Sequence, residues 1–304
     1  MQQVCGDADK FKYVIMNIMK IAIVNKSFDN HFVCLGMLLE ALKEHQVTVF
    51  TKTNFLGWIQ YYESIYTFTT VFNIHIDVPM FDKIIKLSSH DDCFTDVSNV
   101  ISILHLQCFL VDDSRPFISC TPYVTGANVH YMFPIFRPIM TKSSDKIVTL
   151  VGYYLNDNID ADTDAFIQMN RAYTFMFITG GDVHYNNLTK HDNVRLLHRA
   201  TTPEMFDILN KSRFVLSKKF INYDRYSGQL GMAMSLEKPL IIDAKTATAY
   251  NLPGLTFASE YSEIGLLDNI TDDKYDTLVE DIRKFNTVCH NDNYQTMQKL
   301  LSLN

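Results

Sequence analysis

Residues Tyr223 to Asp243 read YDRYSGQLGMAMSLEKPLIID, and this stretch decides the fold. A loop opens it, a glycine-bearing helix start follows at Ser227–Gly228, and Leu230, Ala233 and Met234 supply the apolar side of the helix. Pro239–Ile242 then reads as a buried strand. A helix that begins after a strand and a glycine-bearing turn presents backbone N–H groups and the positive end of its dipole to the same point, which suits a bound anion. In open α/β sheets such ligands sit at the carboxyl ends of the strands.

Working outward, a chain of 304 residues suits two domains of ordinary size. Its 47% hydrophobic and 20% charged residues are those of a globular protein. A net charge of −7 and the lack of any basic run argue against a nucleic-acid partner, whose binding rests on clustered Lys and Arg. Six scattered cysteines show no metal-like spacing, and Cys34 and Cys108 lie in apolar runs, so they read as reduced core thiols in a cytoplasmic, reducing setting. No window approaches the roughly 20 apolar residues of a membrane span. Residues 1–18 read as an N-terminal extension without a signal peptide, and Met19–Asn25 as the start of the first domain.

Ile21–Asn25 is a continuous apolar run, as a parallel strand covered on both faces requires. His31–Glu44 follows as a helix with Phe32, Leu35, Leu38, Leu39 and Leu42 on one face, and Val47–Thr51 as the next strand. Leu56–Tyr66 is an aromatic-rich helix or loop holding the single tryptophan, Trp58, which reads as core. Further strands are expected at Phe81–Ser88, Ile101–Leu106, Phe117–Thr121 and Tyr131–Ile135. Arg137–Asp145 is the linker candidate, with its core at 139–145, between a domain at 19–138 and a second at 146–265. In the second domain, strands are expected at Lys146–Val151, Tyr173–Thr179, Val194–Leu197, Arg213–Ser217 and Leu255–Ala258, with a helix at Asp162–Arg171. Thr202-Pro203-Glu204 carries a helix-start signature with Thr202 as cap. Tyr275–Phe285 is a terminal amphipathic helix within a helical segment, 266–304, placed to pack back on the first domain. The fold class is therefore α/β, two Rossmann-like domains facing a cleft.

The ordered series of second-domain segments resembles the donor domain of GT-B glycosyltransferases, nucleotide-sugar enzymes of the family-4-like kind. Ala233-Met234-Ser235-Leu236-Glu237-Lys238-Pro239-Leu240-Ile241 falls on that family's "EAMA-G-KPVI" pattern, and Asp224 on its first acid. The second acid is replaced by Met232. IVTLVGYY, 147–154, resembles the opening strand and glycine of the domain, and NVRLLHRATTPEMFDILNKSRFVLS, 193–217, its base-binding segment, with His198 where glycine is usual. The resemblance implies metal-independent sugar transfer from a nucleotide-sugar to a glycan, glycoprotein or other hydroxyl acceptor, with no cofactor. It implies a donor site made by Gly152, Tyr153, His198, Arg199, Ala200, Ser227, Gly228 and Gln229, with Arg199, Lys218 or Lys219 supplying charge. Asp224 would hold the sugar hydroxyls, and Gln229 or Glu204 would stand in for the missing ribose acid. An acceptor base, if the reaction inverts configuration, is sought on first-domain loops, where His31, His90 and Asp91 are the candidates.

Other signals are weaker. Asp157–Asp164 fails as a calcium loop, since Ala165 stands where glycine is needed and Arg171 where a bidentate Glu is needed. Asp160-Ala161-Asp162 reads as a solvated helix start. Gly180-Gly181-Asp182 lacks the third glycine of a dinucleotide fingerprint, and no metal site is expected. Met232 keeps a rival open: a degenerate GT-B chain used for glycan or partner binding. An epimerase of the same fold is disfavoured, because no paired cleft acids can be located.

Overall fold

The computed structural model describes residues 17–26, 32–73, 75–88, 97–104, 115–140, 145–152, 161–179, 191–217 and 227–303. Two wholly parallel sheets organise them. The first contains β1 (Lys20–Val24), β2 (Gln46–Phe50), β3 (Thr69–Val71), β4 (Lys83–Lys86), β5 (Val100–Leu104), β6 (Phe117–Ser119) and β7 (Val129–Tyr131), in the spatial order β3-β2-β1-β4-β5-β6-β7. The second contains β8 (Asp145–Val151), β9 (Thr174–Thr179), β10 (Val194–His198), β11 (Ser212–Leu216), β12 (Leu240–Asp243) and β13 (Gly254–Phe257), in the order β10-β9-β8-β11-β12-β13. Both orders reverse beside their first strand, between β1 and β4 and between β8 and β11. Such a reversal opens a crevice at the carboxyl edge, where open α/β sheets bind ligands.

The continuous apolar runs explain the central strands, since parallel strands are covered on both faces. Ile21 and Ile23 join one core with α1 (Phe32–Ala41), while Ala22 and Val24 join another with Phe50 and Ile84. Helix α1 is buried at every position, so it has no polar face and must be enclosed. Gly36 makes that possible: a Cβ there would lie 2.7 Å from the Tyr62 hydroxyl and 2.9 Å from the Phe136 ring. The principal core runs on without a break from the first sheet into the second, through Val215, Leu230, Met232 and Leu240.

Several elements differ from the sequence expectation. The terminal helix, α7, runs from Asp272 to Ser302, far beyond Phe285. Its second half was hidden because buried positions such as Asn293 interrupt the apolar stripe of Met297, Leu300 and Leu301. At about 1.5 Å per residue it is long enough to cross both domains. Its start stays with the second sheet, where Arg213 bonds Asp272 and lies over the Tyr275 ring. Its end docks on the first: Asn293 donates to the Phe133 carbonyl at 2.8 Å, Tyr294 to Glu44 at 3.0 Å, and Lys83 to the Leu303 carbonyl. Residues 132–136, expected to continue a strand, are buried but irregular, and Pro134 has no N–H for a ladder. The strand there is Val129–Tyr131 instead. The cap of α4 (Thr202–Lys211) is Thr201, not Thr202, and Pro203 follows inside the first turn. Two elements were missed: the three-residue edge strand β3, and α6 (Ala244–Tyr250), whose AKTATAY sequence has little apolar pattern. Helix α2 (Leu56–Glu63) resolves the aromatic segment, and α3 (Ala161–Met169) ends two residues short of Arg171.

Between the domains, α2 meets α4 through rings. Tyr61 and Phe206 stack with centroids 4.0 Å apart, and Trp58 meets Phe206 edge-on at 5.6 Å. Trp58 also stacks on Phe32, as a core ring would. Cys34 and Cys120 are buried, with their sulfurs 3.5 Å apart.

Candidate functional site in the interdomain cleft

The crevice of the second sheet lies between the ends of β8 and β11. Gly152 follows β8 directly; its N–H reaches the Ile178 carbonyl at 3.1 Å, and its φ of 154° suits a residue without a Cβ. Ser217 follows β11, is fully buried, and its carbonyl accepts from the Tyr261 hydroxyl at 2.7 Å. Helix α5 (Gly228–Ser235) begins beyond β11, with Ser227 as its N-cap residue in extended backbone. The Ser227 side chain makes no capping bond, so the donors of the first turn are not used by it. Gln229, 4% exposed, anchors this helix end by donating from Nε2 to the Leu216 carbonyl at 2.5 Å.

On the other side of the cleft stands the start of α1. A Cβ on Gly228 would touch Val33 Cγ2 at 3.5 Å, so two helix N-termini from two domains converge here. The first sheet contributes polar residues at its own carboxyl edge. Asn25 follows β1 and Thr51 follows β2, where their registers run in step. Alternation along β1 sets Asn25 on the face of Ile21 and Ile23, the face that carries α1. Asn25 Nδ2 and Thr51 Oγ1 are both buried without a hydrogen-bond partner. Buried polar atoms left open in this way are uncommon, and two of them lie side by side at this edge. Sequence reasoning passed over both residues; the available signal was the first polar residue after each apolar strand.

Along the edge of the second sheet, His198 ends β10 and its Nδ1 lies 3.2 Å from Thr179 Oγ1 at the end of β9. Arg199 takes a left-handed φ of 51° while its N–H donates to the Thr179 carbonyl at 2.8 Å. His198 and Arg199 are exposed, and Ala200 is half-buried. The chain therefore turns sharply just past the sheet edge. Glu204 closes a capping box with Thr201, accepting from its N–H and hydroxyl, both at 2.8 Å. Those bonds hold the Glu204 carboxyl below its ordinary pKa. Met232 is 7% exposed and part of the core.

The structure thus brings Gly152, Ser217, Ser227, Gly228 and Gln229 to one crevice, and sets His198, Arg199 and Ala200 along the same carboxyl edge. The side chains of Gln229 and Glu204 are engaged within the fold. His31, His90, Asp91, Tyr153, Lys218, Lys219 and Asp224 lie outside the described residues, as does Cys108. Asp162 is not merely solvated: its carboxylate accepts from the N–H groups of Tyr261 and Ser262, at 2.7 and 3.3 Å, and ties α3 to a short helical turn. Among the described residues no cluster of three or more His, Cys, Asp or Glu side chains is placed to hold a metal ion, and no helix is long and apolar enough to cross a membrane.

No protein-family model matches this sequence, and no curated protein matches it. Solved structures do match in fold. The Anabaena protein HepE, in complex with UDP and glucose, superposes with a TM-score of 0.64 at 13% identity, covering 94% of this chain and 100% of HepE. AviGT4, a glycosyltransferase involved in avilamycin A biosynthesis, gives a TM-score of 0.60 at 11% identity, over 94% of this chain and 99% of the other. Arabidopsis thaliana UGT89C1 complexed with UDP-L-rhamnose gives 0.52 at 10%, over the same shares of the two chains. The fold is GT-B, two Rossmann-like domains joined by a linker and a terminal helix.

Proposed function

We propose that the protein is a glycosyltransferase that moves a sugar from a nucleotide-sugar to a hydroxyl acceptor, a glycan or glycoprotein, without a metal. The observation that carries this reading is the convergence of α5, Gly152 and Ser217 at the reversal point of the second sheet, opposite the start of α1. Departure of a nucleoside diphosphate leaves negative charge on the phosphates while the sugar becomes oxocarbenium-like. Backbone donors fixed before the reaction stabilise that charge best. The first turn of α5 would supply them, with Arg199 and Lys218 adding positive charge. Gly152 lets the diphosphate come close to the backbone, and His198, Arg199 and Ala200 flank the base. Asp224 would hold the sugar hydroxyls. If the reaction inverts, the base comes from His31 or the His90–Asp91 pair; a retaining reaction needs none.

One observation favours a second reading, a chain of this fold that binds glycans without transferring sugar. The usual ribose acid is the buried Met232, and the two side chains nearest to replacing it, Gln229 and Glu204, are already bonded within the fold. Thermal unfolding against UDP, GDP, ADP, CMP and dTDP and their sugar conjugates separates the readings. A ligand at 100 times its Kd raises stability by about 2.7 kcal/mol. One responding nucleotide series, abolished for the sugar conjugate by Asp224→Ala, supports transfer. Silence across the panel from the folded protein leaves the binding protein.

A further inference from the structure

The three central strands of the first sheet share an ending at its carboxyl edge. Beyond β1 the chain reads Asn25-Lys26, beyond β2 it reads Thr51-Lys52, and β4 itself ends on Lys86. Strands β2, β1 and β4 are neighbours in that order. The register pairs Val24 with Phe50, so two residues further on Lys26 stands beside Lys52. The ladder reaches into this region, since the Asn25 N–H donates to the Phe50 carbonyl at 2.9 Å and the Thr51 N–H to the Val71 carbonyl at 3.0 Å. Lys52 is itself extended, with φ −98° and ψ 157°. Alternation therefore sets Lys26 and Lys52 on the face of Val24 and Phe50, the face that also carries Ile84 and, with it, Lys86.

Lys26 is half-buried and Lys52 exposed, so both side chains can be reached from solvent. Among the described residues neither of them has a hydrogen-bond or ion-pair partner for its ammonium group. Lys86, 4% exposed, is engaged within the fold. Residues 25–26, 51–56 and 87–88, which follow the three strands, include no acid. Neighbouring strands lie about 4.8 Å apart, and like charges side by side on them are unfavourable. The chain as a whole carries a net charge of −7, so two adjoining unpaired cations at the cleft edge run against its balance and make a local positive field. An anion between them removes the repulsion. Lysine binds as a compact point charge, which suits a phosphate or a carboxylate without a fixed fork geometry.

We propose that Lys26 and Lys52 form an anion site for the acceptor, and that the acceptor is a hydroxyl compound carrying a phosphate or carboxylate group. The proposal rests on the reading of the cleft as a glycosyltransferase site and names the chemical class of its acceptor. The two lysines belong to the first domain, across the cleft from the start of α5, so an anion on them leaves the donor's place free.

The test is calorimetric titration of the full chain with glucose 6-phosphate, galactose 6-phosphate, glucuronate and galacturonate, against glucose and galactose. At least one acidic sugar is expected to bind, and its neutral parent about tenfold more weakly or not at all. The phosphate and uronate arms tell which anion the site takes. Raising the salt from about 0.1 M to about 1 M shortens the Debye length from about 10 Å to about 3 Å and should weaken that binding. The double variant Lys26→Gln with Lys52→Gln keeps long polar side chains and removes the repulsion, so it should fold as well as the parent. It should bind the acidic sugar about tenfold more weakly and keep the thermal response to the nucleotide series. If a nucleotide series responds but no acidic sugar binds, acidic and neutral sugars bind alike, or the double variant binds as the parent does, the proposal falls and the transfer reading stands. Lysine-dependent binding with silence from every nucleotide would overturn the acceptor role together with that reading.

Discussion

The two faces of the domain boundary are built differently. On the linker face, rings stack and several polar groups pair across the boundary: Tyr61 on Phe206, the Phe136 N–H on Ser235 Oγ at 3.1 Å, Asn210 on the Ile139 carbonyl at 3.2 Å and Asn293 on the Phe133 carbonyl, although Tyr61 Oη, Asn286 Oδ1 and His290 Nδ1 there have no hydrogen-bond partner. On the cleft face, the carboxyl edges of both sheets end in polar residues, and Asn25 and Thr51 are left with open hydrogen-bonding atoms. One face is closed by packing and holds the domains together. The other is where the carboxyl edges of both parallel sheets end, the edge at which open α/β sheets bind ligands. Helix α5 links them, with its start against α1 at the cleft and its end against the linker and α7.

If that contrast is right, substitutions on the linker face act on stability and those on the cleft face act on ligands. Phe206→Ala should have the largest effect, because it empties the space between Tyr61 and Trp58; a loss of about 4 kcal/mol is expected in urea unfolding. A loss below about 1 kcal/mol would mean that the ring cluster contributes little to the boundary. Next comes Gly36→Ala, whose methyl would press on Tyr62 and Phe136 at under 3 Å. Its expected cost is about 2 kcal/mol, because a packed core resists an added carbon.

Lys238 provides a pH-dependent check on the second domain. It is 5% exposed, and its Nζ donates to the Asn210 carbonyl at 2.6 Å. Burial lowers its pKa to about 8 in the folded chain. An unfolded lysine titrates near 10.4, so between about pH 8 and 10 the unfolded chain holds a proton that the folded chain lacks. Stability therefore rises with pH across that window, and the cost of the buried charge is fully present below it. Lys238→Met should flatten this rise in urea melts taken from pH 7 to about 10.5. An unchanged slope would assign the rise to other groups.

The smallest stability effect belongs to the cleft. Gly228→Ala meets only Val33, at an ordinary contact distance, so stability should stay within about 0.5 kcal/mol of the parent. Gly228→Leu should instead weaken a bound nucleoside diphosphate by about tenfold. Equal affinity would remove the start of α5 from the site.

Much of this was legible in the sequence where local chemistry was sufficient. The runs at Ile21–Asn25 and Ile101–Leu106 could be read as strands, which the structure has at Lys20–Val24 and Val100–Leu104, and Ser227–Gly228 could be read as a helix start because the signal is carried by adjacent residues. The longer α7 was not, since its buried stripe includes Asn293, whose place is explained only by the Phe133 carbonyl. Nor was the ring pair of Tyr61 and Phe206, which lie on different domains and show no shared pattern. Gln229 and Glu204 were legible as polar residues near the right helices, but not that one would bond Leu216 and the other cap α4. A side chain's partner depends on packing that periodicity does not encode.

The most direct test of the nucleotide-sugar site is amide hydrogen exchange, with and without the nucleotide-sugar that gives the largest thermal shift. Slower exchange is expected at Gly152, Ser217, Gly228 and Gln229, with the linker face unchanged. Slowing confined to the linker and α7, or absent from the start of α5 while the ligand is bound, would contradict the placement of the donor at the carboxyl edge of the second sheet.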